Sequence, residues 1–168
     1  IGRGAGNVVS NTVVGNGALN ANTTGNNNSA FGYQALLVNT IGIRNTAIGQ
    51  QALATNTTGG SNTSVGYQSL INSTGTNNSA LGARALYLNT TGIKNNAFGY
   101  YALRNNTIGT GNSAFGQQAL QNNTTGINNS AFGYQTLITN TIGTNNTAVG
   151  VNCMYYNTTG SSNTAVGR

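Results

Sequence analysis

A unit of 17 residues recurs along almost the whole chain, and this repeat constrains the fold more than any other feature. The unit reads N-[TS]-A-[FVIL]-G-x-x-A-L-x-x-N-T-[TI]-G-x-x, and nine full copies plus a partial one fill residues 11–167. Repeats built from helix pairs need about 33 residues or more, and Asn, Thr and Gly are poor helix formers. We therefore predict an all-β β-solenoid, of the β-helix or β-roll type, with one repeat per coil and short strands stacked in register.

Two Asn positions are shared by the complete copies of the unit. The first Asn column consists of Asn11, Asn28, Asn45, Asn62, Asn78, Asn95, Asn112, Asn129, Asn146 and Asn163. The second Asn column, read back from the following Gly, consists of Asn22, Asn39, Asn56, Asn72, Asn89, Asn106, Asn123, Asn140 and Asn157. Side-chain amides stacked at strand spacing hydrogen-bond along the axis. We predict that both columns form structural ladders.

Two Gly positions recur in the same way. The first Gly column consists of Gly15, Gly32, Gly49, Gly66, Gly82, Gly99, Gly116, Gly133, Gly150 and Gly167. The second Gly column consists of Gly25, Gly42, Gly59, Gly75, Gly92, Gly109, Gly126, Gly143 and Gly160. Because Gly adopts positive φ without steric strain, both columns are predicted to form turns.

Two columns of the unit are apolar. The first consists of Val14, Phe31, Ile48, Val65, Leu81, Phe98, Phe115, Phe132, Val149 and Val166. The second, the Leu column, consists of Leu19, Leu36, Leu53, Leu70, Leu86, Leu103, Leu120, Leu137 and Met154. A strand T-A-V would place Thr and Val on one face and Ala on the other. We expect both apolar columns inside and the Ala face against another chain, in a homotrimer.

The repeat also suggests how the chain is divided. Residues 1–10 fit the unit poorly and are predicted to be a degenerate coil or an N-terminal cap, whereas residues 11–168 form the solenoid. The sequence stops inside another unit without a polar cap, and solenoids need caps for solubility. This pattern favours continuation by more sequence or end-to-end stacking into a filament.

Composition narrows the range of functions. The chain has no Asp, Glu or His and a single Cys, whereas acid–base catalysis and metal binding depend on those side chains. We predict no catalytic residue, no metal site and no cofactor, and hence not an enzyme. The six basic residues are scattered rather than clustered, which argues against a nucleic-acid partner. No apolar run is long enough for a membrane helix.

The units resemble the repeats of phage-tail-fibre-like proteins. The similarity is carried by FGYQAL at 31–36, NTIG at 39–42 and NTAIG at 45–49, and it extends over residues 11–167. The N-[ST]-A-[VIF]-G element is also loosely similar to the head repeats of trimeric autotransporter adhesins, whose period is shorter. Both resemblances imply a trimeric, rigid and adhesive fibre located extracellularly, on a cell surface or on a virion.

Three functions are compatible with such a rod. The first is a structural and adhesive fibre segment with a cell-surface or glycan receptor. The second is an ice-binding solenoid that uses Thr and Asn ladders. The third is a glycan-binding shaft that uses the Tyr column, and this column consists of Tyr33, Tyr67, Tyr100 and Tyr134.

Overall fold

The computed structural model describes residues 2–168 and shows a parallel β-solenoid of about nine turns. A short 3-10 helix, Ala5–Asn7, precedes the coils. The strands are β1 Thr12–Val14, β2 Ser29–Phe31, β3 Thr46–Ile48, β4 Thr63–Val65, β5 Ser79–Leu81, β6 Asn96–Phe98, β7 Ser113–Phe115, β8 Ser130–Phe132, β9 Thr147–Val149 and β10 Thr164–Val166. They form one ten-stranded parallel sheet in chain order, so the predicted all-β solenoid is confirmed.

The strands pair in the register that the repeat predicts. Ala30 of β2 lies opposite Ala47 of β3, and Phe31 lies opposite Ile48. Each coil contributes a single three-residue strand to the sheet. The rest of the coil stacks through backbone hydrogen bonds between equivalent turns, for example from the Leu36 N–H to the Ala52 carbonyl at 3.1 Å. Equivalent positions of successive repeats therefore lie above one another at about 4.8 Å along the axis.

The Leu column fills the interior and is fully buried from Leu19 to Leu137. Its backbone is left-handed in every coil, with φ of 51° at Leu36 and 49° at Leu103. Such a conformation costs a non-Gly residue about 1–2 kcal/mol. Complete burial of a Leu side chain contributes about 1.5–3 kcal/mol, which offsets the strain. The conformation turns the chain inward at the point where the core needs its largest side chain.

The expectation that the first apolar column lies inside is wrong, and we therefore name it the outer apolar column. The central residue of each strand points inward, so that Ala30 and Ala114 are fully buried, while Phe31 is 37% exposed and Leu81 is 48% exposed. A coil of 17 residues encloses little space, and its cross-section already holds one Leu, two Ala and two Asn side chains. On the strand wall opposite Leu the inward-facing residue is therefore small, and it is Ala in every strand except β1, which has Val13, and β4, which has Ser64. The Ala face is therefore core, and the bulky face is turned outward.

The first ten residues lie against the first coil. Gly2 pairs antiparallel with Val13 through hydrogen bonds of 2.8 and 2.9 Å, and the Ala5 N–H donates to the Leu19 carbonyl at 3.1 Å. Within the predicted cap, residues 1–10, Ile1 lies outside the described residues. Residues 2–7 thus supply hydrogen-bond partners to backbone groups that another coil supplies elsewhere.

Candidate functional site

The first Asn column is a buried ladder that joins each coil to the next. The Asn28 Oδ1 accepts the backbone N–H of Asn45 at 2.9 Å, and the Asn28 Nδ2 donates to the Gly42 carbonyl at 2.8 Å. The same pair of contacts recurs at Asn95 and Asn129. A side-chain oxygen here replaces a backbone carbonyl, so the N–H at the start of each strand is satisfied.

The second Asn column is a ladder of amide pairs. The Asn56 Nδ2 donates to the Asn39 Oδ1 at 2.8 Å and to the Gly59 carbonyl at 3.0 Å. Equivalent bonds join Asn106 to Asn89 and Asn140 to Asn123. Carbonyls of the second Gly column thus accept from both Asn columns, which closes a polar network inside the coil.

One copy of the unit has 16 residues instead of 17, from Gly66 to Gly82, and in this short coil one predicted member of the second Asn column is wrong. Ser73, not Asn72, occupies the ladder position, because the Ser73 Oγ accepts from the Asn89 Nδ2 at 3.0 Å. Asn72 is displaced outward, and its Nδ2 donates to the Tyr87 carbonyl at 2.9 Å. The missing residue therefore lies between the ladder position and Gly75. Since Ser has no amide to donate, the Asn56 Oδ1 has no hydrogen-bond partner.

The two Gly columns serve different purposes. The first has positive φ, for example 130° at Gly49, and it also lies close to the next coil, where an added Cβ would be 2.6 Å from the Gly66 carbonyl oxygen. The second column has no positive φ, contrary to the expectation that it forms left-handed turns. A Cβ at Gly59 would instead collide with the Asn56 Oδ1 and the Gly75 carbonyl. This column is Gly because the ladder leaves no space.

The outer apolar column forms a stripe along one flank of the solenoid. The rings of Phe98, Phe115 and Phe132 stack on one another, with centroids 4.8 and 5.0 Å apart. The Ser, Thr and Asn residues that begin the strands lie beside them on the same face. No residue of β1–β10 is charged. The stripe is thus an uncharged and ordered apolar surface, in which most side chains are 37–48% exposed and Val65 and Phe98 are half-buried.

The Tyr column lies beside this stripe, on the other side of the bend that the first Gly column makes in each coil. Tyr33, Tyr67, Tyr100 and Tyr134 are 41–50% exposed. They alternate with Gln or Ala, so that neighbouring Tyr residues are two coils apart, or about 9.6 Å. Their rings do not stack with one another among the described residues. The column presents separate aromatic rings rather than a continuous platform.

A third ladder, made of Gln side chains, was not predicted from the sequence. We name it the Gln column, and its positions are Gln34, Gln51, Gln68, Arg84, Tyr101, Gln118, Gln135 and Asn152. The Gln51 Nε2 donates to the Gln34 Oε1 at 3.1 Å, and the Gln68 Nε2 donates to the Gln51 Oε1 at 2.9 Å. The signal was the repeated Gln two residues after the first Gly, in a position that the unit leaves open.

An Arg and a Tyr interrupt the Gln column in the middle of the chain. The Arg84 Nε donates to the Gln68 Oε1 at 3.0 Å and its Nη1 donates to the Tyr101 hydroxyl at 3.3 Å. The bond to Tyr101 is the main reason that the pKa of Arg84 is raised. The pKa of Tyr101 is lowered, first by hydrogen bonding with Tyr100 and then by Arg84. The aromatic and cationic side chains are most concentrated here.

An open cleft lies farther along the same flank. Its volume is about 460 Å³, and it is lined by Gln135, Asn152, Tyr155 and Tyr156. The Asn152 Oδ1 is buried without a hydrogen-bond partner. Cys153, next in the chain, fills an Ala position of the core and is buried.

The Thr residues after the second Asn column bear on ice binding. The Thr40 Oγ1 donates to the Thr57 carbonyl at 3.1 Å, and the Thr107 Oγ1 donates to the Thr124 carbonyl at 3.1 Å. These hydroxyl protons are directed along the axis into the next coil. They do not form a free array of donors on a flat face, as the ice-binding alternative would require.

Comparison with known proteins finds no matching family model, no matching curated protein and no matching solved structure. Among residues 2–168, no helix has the length and apolar character needed to cross a bilayer. The geometry of the solenoid surface is therefore the basis for the functional proposal.

Proposed function

We propose that this chain is a segment of a rigid, non-catalytic extracellular fibre, and that it assembles through its outer apolar column. The observation that carries the proposal is the exposed apolar stripe, which runs through all ten strands. Apolar patches of this kind mark interaction sites on soluble proteins. The fibre-like repeat resemblance supports the same reading, with a location outside the cell, on a cell surface or on a virion.

A second copy of this chain is the partner that fits the stripe best. Its own stripe has the same rise of about 4.8 Å per coil, so that side chains of two parallel copies interdigitate over the full length of about 43 Å. Because the outward face of the sheet carries no charge, apposed copies do not repel one another there. Between unrelated partners this match of period would be absent.

A homotrimer is the assembly that uses the surface most fully. The outer apolar column and the Tyr column lie on opposite sides of the turn at the first Gly column, so they face in different directions. The stripes of three parallel copies can then meet around a threefold axis, and the Tyr column stays outside the contact. The proposed contact uses the Phe side of the strands, and the Ala side remains core.

The test is the mass of the chain in solution, measured by native mass spectrometry and analytical ultracentrifugation. We expect a particle of three 17.1-kDa chains that is rod-shaped by negative-stain microscopy. Replacing Phe98, Phe115 and Phe132 together by Thr removes apolar area from the stripe and keeps residues that favour strands. We expect this variant to dissociate and to retain the β-rich circular dichroism spectrum.

The matched control replaces three Ile residues that are exposed on another side of the coil. Ile41, Ile108 and Ile142 are 53–54% exposed, so their replacement by Thr removes a similar surface without touching the stripe. We expect this control to remain oligomeric. A wild-type monomer of 17.1 kDa, or equal dissociation of both triple variants, would contradict the proposal.

A further inference from the structure

The middle of the solenoid carries a cluster of two Arg and four Tyr side chains, which we name the Arg–Tyr cluster. Its members are Tyr67, Arg84, Tyr87, Tyr100, Tyr101 and Arg104. The Arg84 guanidinium lies 5.6 Å from the Tyr67 ring centroid and 5.5 Å from that of Tyr87. The Arg104 guanidinium lies 5.8 Å from the Tyr87 centroid and 4.9 Å from that of Tyr101. The Tyr100 and Tyr101 rings stack at 3.9 Å.

The stacking of like residues along the axis, which explains the other columns, does not explain this cluster. In the Gln column, Gln side chains pair along the axis on both sides of the interruption, for example from Gln135 to Gln118 at 2.8 Å. Two further Gln residues at positions 84 and 101 would continue the ladder. Arg and Tyr instead bring a positive charge and a second ring into contact with the Tyr column. The departure from the repeat is therefore local and chemically specific.

The two guanidinium groups have no counter-ion within the chain. The sequence contains no Asp and no Glu, so no side-chain carboxylate can pair with them. Each guanidinium has five N–H donors. Arg84 uses its Nε on the Gln68 Oε1 and its Nη1 on the Tyr101 hydroxyl. Arg104 uses its Nη1 on the Asn105 Oδ1 at 3.2 Å, and the Arg104 Nε is buried without a partner. Donors remain for an external anion.

The rings hold these donors in place. Stacking on aromatic faces restricts the planar guanidinium groups, and less rotational freedom is then lost when they bind a planar anion through two hydrogen bonds. Tyr67 and Tyr100 are exposed beside them. A flat apolar surface next to a fixed pair of donors suits a ligand that has one apolar face and one acidic group.

We propose that the Arg–Tyr cluster binds an acidic saccharide, with its carboxylate or sulfate on Arg84 and Arg104 and its sugar ring against the exposed Tyr side chains. A nucleic acid fits less well, because a phosphate backbone needs a row of basic residues. Lys94 and Arg44 lie in a different column, so Arg84 and Arg104 are not part of a row of basic residues. This assignment adds a ligand to the proposed rod and does not depend on its oligomeric state.

The experiment measures binding of short glycans to the full chain by isothermal titration calorimetry at low ionic strength. The probes are the hexasaccharides of hyaluronan and of chondroitin sulfate, with neutral maltohexaose and the oligonucleotide dT12 for comparison. The test variant carries Arg84→Gln and Arg104→Gln. Gln already occurs in both columns, at Gln68 and at Gln121, so the variant keeps the fold. Circular dichroism melting verifies this directly.

The control variant carries Arg44→Gln and Lys94→Gln, which removes the same charge from exposed positions outside the cluster. We expect the wild type and the control to bind at least one acidic hexasaccharide, and the test variant to bind it at least about tenfold more weakly. Absence of binding by wild type would overturn the proposal. Equal loss in both variants, or binding of maltohexaose or dT12 as tight as that of the acidic glycans, would overturn it too. A monomeric mass together with specific binding would contradict the trimer alone.

Discussion

The interior and the outward face of this solenoid are built from the same repeat, yet they tolerate variation very differently. Both Asn columns, the Leu column and both Gly columns are nearly uniform from coil to coil. The Tyr column alternates among Tyr, Gln and Ala, and the Gln column admits Arg and Tyr. The difference arises because an inward side chain meets its own copies and the opposite wall, whereas an outward side chain meets solvent on one side.

Two consequences follow for any substitution in this fold. A change inside the coil disturbs contacts with both neighbouring coils, because a ladder residue such as Asn112 donates to the Asn95 Oδ1 and accepts from the Asn129 N–H. A change outside alters a surface property with little effect on folding. We therefore expect the outward columns to determine the function of this chain and the inward columns to determine its stability.

The largest effect is expected from Gly59→Ala. The added Cβ would collide with the Asn56 Oδ1 and with the Gly75 carbonyl, and the backbone cannot move without disrupting two ladders. We expect a loss of about 4 kcal/mol or more in the free energy of unfolding, measured by urea denaturation. The adjacent Gly60→Ala is the control, since its Cβ would lie 3.1 Å from the Ile43 carbonyl. Similar losses for both variants would contradict the role assigned to the second Gly column.

A smaller effect is expected from Asn112→Ala. The substitution removes the acceptor of the Asn129 N–H at 3.0 Å and a donor to the Gly126 carbonyl at 2.8 Å. Buried groups left without a partner cost about 1–3 kcal/mol each, and we expect a total loss of about 3 kcal/mol. The control is Asn105→Ala, whose amide pairs with Asn122 on the half-buried outer side. Its loss should stay below about 1 kcal/mol. Equal losses would remove the distinction between inner and outer ladders.

Sequence reasoning succeeded where identical residues stack. The period, the parallel register and the pairing of the Asn39 and Asn56 amides follow from the rule that each residue lies above its own copy at strand spacing. The same rule places no constraint on which face of a three-residue strand is inside. In the segment Ser29-Ala30-Phe31, side-chain size suggested Phe for the core. The interior of the folded coil is too narrow for Phe, so Ala faces the core. The width of that interior is evident only from the three-dimensional structure.

The Gln column and the Arg–Tyr cluster were missed for a related reason. The predicted ladders are those with the same residue in every coil. Gln68, Arg84 and Tyr101 differ in type, yet Arg84 donates to both of the others. Which columns touch across a turn depends on left-handed residues such as Gln34 and Leu36, whose φ angles are 55° and 51°. Such angles are rare for these residue types, and the sequence alone does not indicate them.

The short coil offers a way to sharpen the comparison by repairing an inner ladder. Ser73→Asn supplies an amide next to the Asn56 Oδ1, which has no partner. We expect a gain of about 1 kcal/mol in the free energy of unfolding. Ser73→Ala is the opposite control, because it removes the oxygen that accepts from the Asn89 Nδ2 and the Gly75 N–H. A loss of stability in Ser73→Asn would mean that the shortened turn, rather than the missing amide, limits this coil.

The smallest effect on stability is expected from Tyr101→Phe, an outward change. The lowered pKa of Tyr101 contributes stability above the usual Tyr pKa of 10.0, and this contribution is lost as the pH falls through the lowered pKa. The raised pKa of Tyr100 acts in the opposite sense, since its contribution is lost as the pH rises through the raised value. The two contributions fall in different pH ranges. Because both side chains are on the outward face, the change in the free energy of unfolding at neutral pH should be smaller than in the three predictions above.

The same pair should be visible in the alkaline ultraviolet titration of the phenols. In wild type, Tyr101 should ionise below the usual Tyr range, and Tyr101→Phe should remove this first phenolate. The control is Tyr134→Phe, which removes one exposed Tyr far from Arg84 and should leave the first phenolate in place. If both variants lose only a phenol of ordinary pKa, then Arg84 and Tyr100 do not perturb Tyr101. The electrostatic environment of the Tyr side chains would then be the same along the outward face.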